Sequence, residues 1–185
     1  VEAFVARMNE TAARLGLHGT HFASPHGLPD PQTYSTAGDL ATLATRLIRD
    51  YPDLYRTYDS AREFTYNNIT QRNRNRLLWL DPSVDGLKTG HTEAAGYCII
   101  ASAQRPNCAD PRRLIAAVLG TDSDKARTQE SRQLLEWGFH GFNTIKLYAK
   151  GQELATPQVW KGEADIVKAG VARDAYVTVP AGAKV

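Results

Sequence analysis

Two apolar runs near the middle of the chain, separated by a short loop, constrain the fold more than any other feature. The runs YCIIASA and RRLIAAVLG flank the segment RPNCADP, which is rich in proline, asparagine and aspartate. Apolar runs bounded by turn-forming residues predict strands, so we expect strands over 95–103 and 112–120 that pair as an antiparallel hairpin. A helical pattern follows over about 123–138, and this order is typical of an α/β or α+β domain.

Two helical patterns precede these strands. Residues 2–15 carry apolar side chains at helical spacing and predict a first helix. A second helix is expected after Ser35 or Thr36, because either hydroxyl can cap it and Asp39 lies three residues after Thr36.

The chain changes character near residue 141. Residues 62–67 and 71–79 are predicted to be extended within the first part of the chain. From 141 onward, short extended segments alternate with Gly, Asp and Pro, which is an all-β pattern. We therefore predict an α/β domain over 1–140 and the start of a β-rich domain over 141–185.

Composition excludes several classes of function. The 185 residues are 42% hydrophobic and 23% charged, and 22 basic and 20 acidic residues give a net charge of +2. Charges so evenly mixed produce no strong field for nucleic acid or anionic lipid, so no nucleic-acid partner is expected. No apolar run approaches the ~20 residues that span a bilayer. The chain opens on Val1 already in a helical pattern, and we expect an upstream segment.

The two cysteines and the clustered histidines do not predict a covalent or metal site. Cys98 lies within a predicted strand and Cys108 in the loop beyond it, so hairpin geometry predicts that they are not bonded to each other. His18, His21 and His26 lack carboxylates at ligand spacing, so we expect no metal site and no cofactor.

The segment DGLKTGHTEAAGY, residues 85–97, carries the strongest functional signal. Lys88, Thr89 and Gly90 would present an ammonium, a hydroxyl and an unhindered backbone along a strand edge. A peptide-like ligand can pair with such an edge as an added strand. Gly90 would leave room for its approach, because a side chain there would block the edge.

In its wider context this segment resembles a known family. DGLKTGHTEAAGYCIIASA is similar to the KTG strand of penicillin-binding proteins, specifically the low-molecular-mass D-alanyl-D-alanine carboxypeptidases of serine peptidase family S11. HFASPHGL, YSTAGDLA, LIRDYP, EFTYNNI, RNRLLW and QESRQLLEWGF resemble further segments of that family in the same order. The resemblance implies part of a β-lactamase/penicillin-binding-protein-like transpeptidase domain, followed by a small β-rich C-terminal domain.

The resemblance also implies roles for the residues of the strand. The family acts through an acyl-enzyme on the D-Ala-D-Ala amide of the peptidoglycan pentapeptide, and β-lactam antibiotics acylate the same serine. By this likeness Lys88 is catalytic, lending positive charge near the nucleophile. Thr89 would hydrogen-bond the substrate carboxylate, while Gly90 and His91 would line the substrate. From the residues alone, two roles for His91 remain: it could shuttle a proton, or it could pack at the end of the strand.

Two arginines complete the predicted site. Arg127 matches an arginine that the family places near the substrate carboxylate, although a helix-face arginine is commonly paired with a neighbour. Arg74 matches a motif arginine and is assigned to substrate binding. Arg72, Arg74 and Arg76 alternate, and in the absence of interleaved aromatic residues we interpret them as one polar face of a strand, not as a nucleic-acid surface.

The family's nucleophile motifs are missing from these residues. Neither S-x-x-K nor S-x-N occurs at any serine of the chain, and the serines are Ser24, Ser35, Ser60, Ser83, Ser102, Ser123 and Ser131. We therefore expect the 185 residues alone to be inactive. An alternative is a non-catalytic module of the same fold that binds cell-wall peptide, whereas the β-rich tail argues against a class A β-lactamase.

The likeness further predicts where the protein works. It implies a periplasmic protein attached to the inner membrane, with membrane contact through a C-terminal segment beyond Val185, because relatives often end in such an anchor.

Overall fold

The computed structural model describes residues 1–106 and 111–183 and shows a mixed fold of helices and strands, which confirms the predicted fold class. The described chain forms two compact units. Of the described residues, one unit contains 1–105 and 113–137, and the other contains 106, 111–112 and 138–183.

The N-terminal helices form where the sequence patterns predict them. Helix α1 covers Glu2–Arg14 and α2 covers Ala37–Asp50. Thr36, not Ser35, is the N-cap of α2, because its Oγ1 accepts a hydrogen bond from the Asp39 amide at 3.1 Å. Asp39 in turn accepts from the Gly19 amide and the Thr20 hydroxyl, which ties the preceding loop to the helix.

A short helical segment leads from α2 into a hairpin. Helix α3, Pro52–Leu54, continues as a π-helical turn over Tyr55–Asp59. Strands β1, Glu63–Tyr66, and β2, Ile69–Arg72, then pair antiparallel across a turn. Its two asparagines, Asn67 and Asn68, adopt positive φ angles of 48° and 60°, as tight hairpin turns require.

The prediction of an extended segment over 71–79 is wrong beyond Arg72. Strand β2 ends at Arg72, and helix α4 forms over Leu77–Leu80. The cause is local, since the Asn73 side chain accepts from the Asn75 amide and the Asn75 side chain accepts from the Leu77 amide. Such side-chain bonds turn the backbone away from a strand.

Three strands form the main sheet, in the order β3-β4-β5. These strands are β3, Val84–Thr92, β4, Gly96–Arg105, and β5, Arg112–Thr121. Strand β3 is antiparallel to β4 and lies at an edge of this sheet, which confirms the predicted edge position of Lys88–Gly90. Contacts of β5 run in antiparallel order, because Thr121 bonds to Tyr97 while Arg113 bonds to Ser102 and Gln104.

Strand β4 forms the centre of the core. Its residues from Ile99 to Ala103 are all buried, and Leu77, Leu78 and Leu135 are among the other least exposed side chains of the unit. Leu135 comes from helix α5, Asp124–Gly141, whose predicted position is confirmed. The core therefore fixes the middle strand, and β3 is held beside it.

The second unit is built from short paired strands, as its sequence pattern predicts. Strand β6, Phe142–Tyr148, pairs antiparallel with β9, Ala175–Pro180. Two shorter strands, β7, Glu153–Ala155, and β8, Ala169–Gly170, form a second antiparallel pair.

Two sequence predictions concern cysteine pairing and the membrane. Cys98 carries a free thiol, but Cys108 lies outside the described residues, so the predicted absence of a bond between them stays a prediction. Within residues 1–106 and 111–183, no helix has both the length and the apolar character needed to cross a bilayer.

A buried carboxylate makes the stability of the first unit depend on pH. Burial would raise the pKa of Asp81, but hydrogen bonds from Ser83 and the nearby Arg105 guanidinium outweigh it, and the pKa lies below its ordinary value of 3.8. Asp81 therefore contributes fully to stability above pH 3.8, and this contribution is lost as pH falls through the folded-state pKa.

We predict that Asp81→Asn lowers the free energy of unfolding by about 2 kcal/mol at neutral pH. Urea unfolding of the intact protein and its variant should give midpoints that converge as pH falls below 3.8. The control is Asp53→Asn, which removes an exposed ion pair with Arg56 and should change stability by less than about 1 kcal/mol. A constant gap at all pH values would contradict this prediction.

Candidate functional site

The Lys-Thr-Gly sequence lies on strand β3, which pairs with β4 on one side. On its other side, no strand of the described sheet pairs with its backbone. On the paired side, Lys88 lies opposite Ile100, Thr89 opposite Ile99 and Gly90 opposite Cys98. Because β3 is at the sheet edge, its other side is available to an extended ligand.

A cleft of about 900 Å³ borders this edge, and all six predicted site residues line it. Those residues are Arg74, Lys88, Thr89, Gly90, His91 and Arg127. The fold therefore brings together residues that are up to 53 positions apart in sequence, from Arg74 to Arg127. Whether each performs its predicted role stays a prediction.

The charge of the cleft favours anions. Its lining includes the cations Arg72, Arg74, Arg76, Lys88 and Arg127, and Asp124 is the sole carboxylate among the described lining residues. A concave surface with this excess of positive charge attracts carboxylates, and guanidinium groups match them geometrically.

Arg127 ties helix α5 to both paired strands. Its Nη1 donates to the carbonyls of Gly90, at 3.1 Å, and Cys98, at 3.4 Å, while Nη2 donates to Asp124 at 2.5 Å. Its guanidinium also lies over the Tyr97 ring, 5.5 Å from the centroid. Arg127 is only 5% exposed, so it fixes the Gly90 backbone while it borders the cleft.

His91 contributes to the wall at the same end of the strand. Its ring centroid is 3.9 Å from that of Tyr97, which lies opposite it in the β3–β4 register. This contact supports the interpretation of His91 as strand-end packing. The His91 ring is tilted by 34° to that of Tyr97, and the Arg127 guanidinium contacts the same tyrosine ring.

Gly90 lies where the edge is most open. A Cβ built at this position would meet no atom within 4 Å, whereas a Cβ at Gly86 in the same strand would clash with the Tyr55 ring and hydroxyl. Beside Gly90, the Lys88 ammonium donates to the Thr89 carbonyl at 2.5 Å. The two glycines of β3 therefore serve different purposes: Gly86 allows internal packing, and Gly90 leaves external space.

A second, apolar cavity of about 370 Å³ also reaches Lys88, Thr89 and Gly90. Leucines of α2 and residues of β4 form most of its lining, namely Leu40, Leu43, Leu47, Ile99 and Ile100. Asp59 from the π-helical turn lines it as well. Burial raises the pKa of the Asp59 carboxyl, and the positive charge of Lys88 opposes that shift.

Sequence reasoning missed three residues near the site: Asp59, Tyr97 and Asp124. Asp124 had a detectable signal, because it lies three residues before Arg127 on a predicted helix, the spacing of a helical ion pair. Tyr97 also had a detectable signal, since it is the last residue of the segment DGLKTGHTEAAGY that carries the Lys-Thr-Gly sequence. Asp59 had none, because a π-helical turn brings it to the apolar cavity.

The interpretation of Arg72, Arg74 and Arg76 as one polar face of a strand is wrong, because β2 ends at Arg72 and the other two arginines lie between β2 and α4. Arg72 lies over the Trp79 ring at 5.4 Å and Arg76 approaches Asp124 at 3.7 Å. His21 bonds to the Gln32 carbonyl. In the part of the chain that the structure describes, no group of three or more His, Cys, Asp and Glu residues is arranged to hold a metal.

Family models match both parts of the chain. Residues 1–123 match the D-alanyl-D-alanine carboxypeptidase model of peptidase family S11, and residues 142–184 match the model of the penicillin-binding protein 5 C-terminal domain. The S11 match covers more than half of the chain and includes the whole of β3.

Similar proteins and structures carry the same description. D-alanyl-D-alanine carboxypeptidase DacA of Haemophilus influenzae is 44% identical over 98% of this chain and 46% of the relative. A structure of penicillin binding protein 5 from the same species has a TM-score of 0.85 and 43% identity, covering 97% of this chain and 51% of that chain.

Penicillin-Binding Protein D2 of Listeria monocytogenes, in its cefotaxime-bound form, has a TM-score of 0.66 and 34% identity, covering 74% and 55% respectively. The chain thus spans about half the length of the relatives it matches.

The two glycines of β3 give a matched test of the site geometry. We predict that Gly90→Ala changes the free energy of unfolding by less than about 0.5 kcal/mol, because the new methyl group enters open space. Gly86→Ala should cost about 1–3 kcal/mol by overpacking against Tyr55. Thermal unfolding of the intact variants measures both, and equal losses would contradict the difference in their surroundings.

Proposed function

The chain belongs to the D-alanyl-D-alanine carboxypeptidase family of serine peptidases, and we propose that it forms the substrate-aligning part of such an enzyme. In this proposal the whole protein removes the terminal D-alanine from peptidoglycan pentapeptide. The observation that carries it is the free Lys-Thr-Gly edge of β3 beside a cationic cleft. A stem peptide ending in D-Ala-D-Ala is an extended backbone with a terminal carboxylate, which suits both features.

The β3 edge and the cleft bind different parts of the peptide. The peptide backbone adds to β3 as a further strand, and Gly90 leaves space for it. The Thr89 hydroxyl and the cleft guanidinium groups hold the terminal carboxylate, Arg74 and Arg127 among them. This binding fixes the scissile amide relative to the strand.

The chemistry proceeds through an acyl-enzyme. A serine hydroxyl attacks the carbonyl carbon of the penultimate D-alanine and forms an ester, and the amide C–N bond breaks. The nitrogen takes up a proton and leaves as free D-alanine, after which water hydrolyses the ester. The Lys88 ammonium favours the negative charge that develops during attack.

The serine itself comes from outside these 185 residues in this proposal, because S-x-x-K and S-x-N are absent from them. The apolar cavity between α2 and the sheet is where we expect the segment that carries S-x-x-K. Its leucine-rich lining favours an apolar segment, and Lys88 and Thr89 border it as they border the cleft. The matched relatives are about twice as long as this chain, which leaves ample length for such a segment.

We extend the proposal to β-lactams and to location. The similar Listeria protein is known in cefotaxime-bound and ampicillin-bound forms. In our proposal, penicillins acylate the same serine that attacks the peptide. We propose that the protein acts on peptidoglycan in the periplasm and is attached to the inner membrane through a segment beyond Val185.

The first test separates the chain from the whole enzyme. We predict that the isolated 185 residues form no covalent adduct with a fluorescent penicillin and release no D-alanine, because no S-x-x-K serine is present. The intact polypeptide, or the missing segment added as a separate chain, should do both. Adduct formation on any serine of the isolated chain, located by peptide mapping, would overturn the assignment.

The second test concerns Arg127 in the intact enzyme. Arg127→Ala should lower carboxypeptidase kcat/KM about 10- to 100-fold, since a charge-assisted hydrogen bond contributes about 1.5–3 kcal/mol. Penicillin acylation should fall less if the guanidinium steers the terminal carboxylate of the peptide.

The matched control is Arg132→Ala, an exposed arginine on the same helix, which should leave both rates unchanged. Turnover of Arg127→Ala equal to that of the parent enzyme would refute the role.

A further inference from the structure

Three side chains meet at the start of β3 and are not explained by ligand contact. Asp85 Oδ1 accepts hydrogen bonds from the Tyr55 hydroxyl at 2.7 Å and from Arg113 Nη1 at 2.7 Å. Arg113 also donates to Ser102 Oγ and Gln104 Oε1, both at 2.6 Å. We call Tyr55, Asp85 and Arg113 the Asp85 clamp, and it joins the π-helical turn to all three strands of the sheet.

Tyr55 is a fixed donor within the clamp. It is 2% exposed, and the Arg113 guanidinium lies over its ring at 5.7 Å. Burial raises the pKa of the Tyr55 hydroxyl far above its ordinary value of 10, so the hydroxyl stays protonated and keeps donating to Asp85.

The backbone of β3 is held at the same point. Gly86 packs so closely on Tyr55 that a Cβ would clash with the ring, and the Gly86 carbonyl accepts from Asn75 Nδ2 at 3.0 Å. Asn75 is fully buried, and the Ser60 hydroxyl donates to the Asp85 carbonyl. These bonds fix the strand two residues before Lys88.

The clamp residues are too far from the ligand to act on it directly. Asp85 precedes Lys88 by three residues, which corresponds to about 10 Å along a strand. Among the described residues that line the cleft and the apolar cavity, none belongs to the clamp. An effect on the reaction would therefore be indirect, and the shortest path along the chain is the backbone of β3 from Asp85 to Lys88.

We propose that Tyr55, Asp85 and Arg113 are positioning residues that set the place of Lys88, Thr89 and Gly90 relative to the nucleophile. An edge strand has a neighbour on one side only, so hydrogen bonds to β4 leave it freer to shift than a central strand. The clamp removes that freedom at one end, and Arg127 removes it at the other through the Gly90 carbonyl. A displacement near 1 Å is enough to slow catalysis strongly.

A purely structural role is the alternative, since partly buried ion pairs with hydrogen-bond networks also occur where no reaction depends on them. The two roles differ in what they change. A structural defect lowers the fraction of folded enzyme, whereas a positioning defect lowers the rate at each folded active site.

The test rests on the proposed function and uses the intact, serine-containing enzyme with a fluorescent penicillin. Tyr55→Phe removes only the hydroxyl that donates to Asp85. We expect labelling to reach the same final stoichiometry as in the parent enzyme, with an acylation rate about tenfold lower. With a D-Ala-D-Ala peptide, kcat should fall by a similar factor while KM changes less than about twofold, because the transition-state alignment is lost and not the binding.

Two further variants keep the test decisive. Tyr176→Phe removes a comparable hydroxyl-to-carboxylate hydrogen bond, to Asp174 in the β-rich unit, and should label at the parental rate. Arg113→Lys keeps the charge but cannot bond Asp85, Ser102 and Gln104 together, and it should slow acylation as Tyr55→Phe does. Should Tyr55→Phe fail to fold, Arg113→Lys decides the question in the same assay.

The possible failures are distinguishable. Clamp variants that acylate at the parental rate per labelled site would overturn the inference, even with a lower labelled fraction or melting temperature. A Tyr176→Phe variant as slow as Tyr55→Phe would overturn it too, because the effect would not be particular to the clamp. A parent enzyme that does not label at all would refute the proposed function and the inference together.

Discussion

Strand β3 pairs with β4 along one side, and no other strand of the described sheet pairs with its other side. An unpaired edge is useful for binding an extended peptide, but it is also prone to slip or to pair with the wrong strand. The exposed Lys88 and the side-chain-free Gly90 make this edge a poor partner for another sheet and an accessible one for a small peptide. The other features of the site follow from keeping this edge open and in place.

Both ends of the exposed stretch are anchored to the core by charge-assisted hydrogen bonds. At one end Asp85 is bonded by Tyr55 and Arg113, and at the other the Gly90 carbonyl accepts from Arg127. Bonds of this type are short and directional. A strand held in this way presents its groups without reorganisation when a ligand arrives, which is the condition for efficient alignment.

The sequence predicted the elements whose patterns are local. The second helix was predictable because Thr36 and Asp39 form a capping pattern in front of a helical apolar stripe, and the cap is observed. The edge strand was predictable because the Lys-Thr-Gly segment precedes two apolar runs that pair beside it. The extended segment over 71–79 was wrong beyond Arg72, since the side chains of Asn73 and Asn75 accept from nearby backbone amides and a helical turn follows. Propensity does not resolve this competition between local side-chain bonds and a strand.

By itself the sequence determined the fold class, the family likeness and the residue types of the site, because periodicity and short motifs depend on neighbours in the chain. Tertiary structure alone decided that Arg127 is bonded to the Gly90 carbonyl, that Asp59 reaches the apolar cavity, and that Arg113 shares a carboxylate with Tyr55. These contacts join residues between 28 and 37 positions apart, or depend on a π-helical turn. No local pattern encodes such pairings, since they form only when the buried strand β4 brings its neighbours into register.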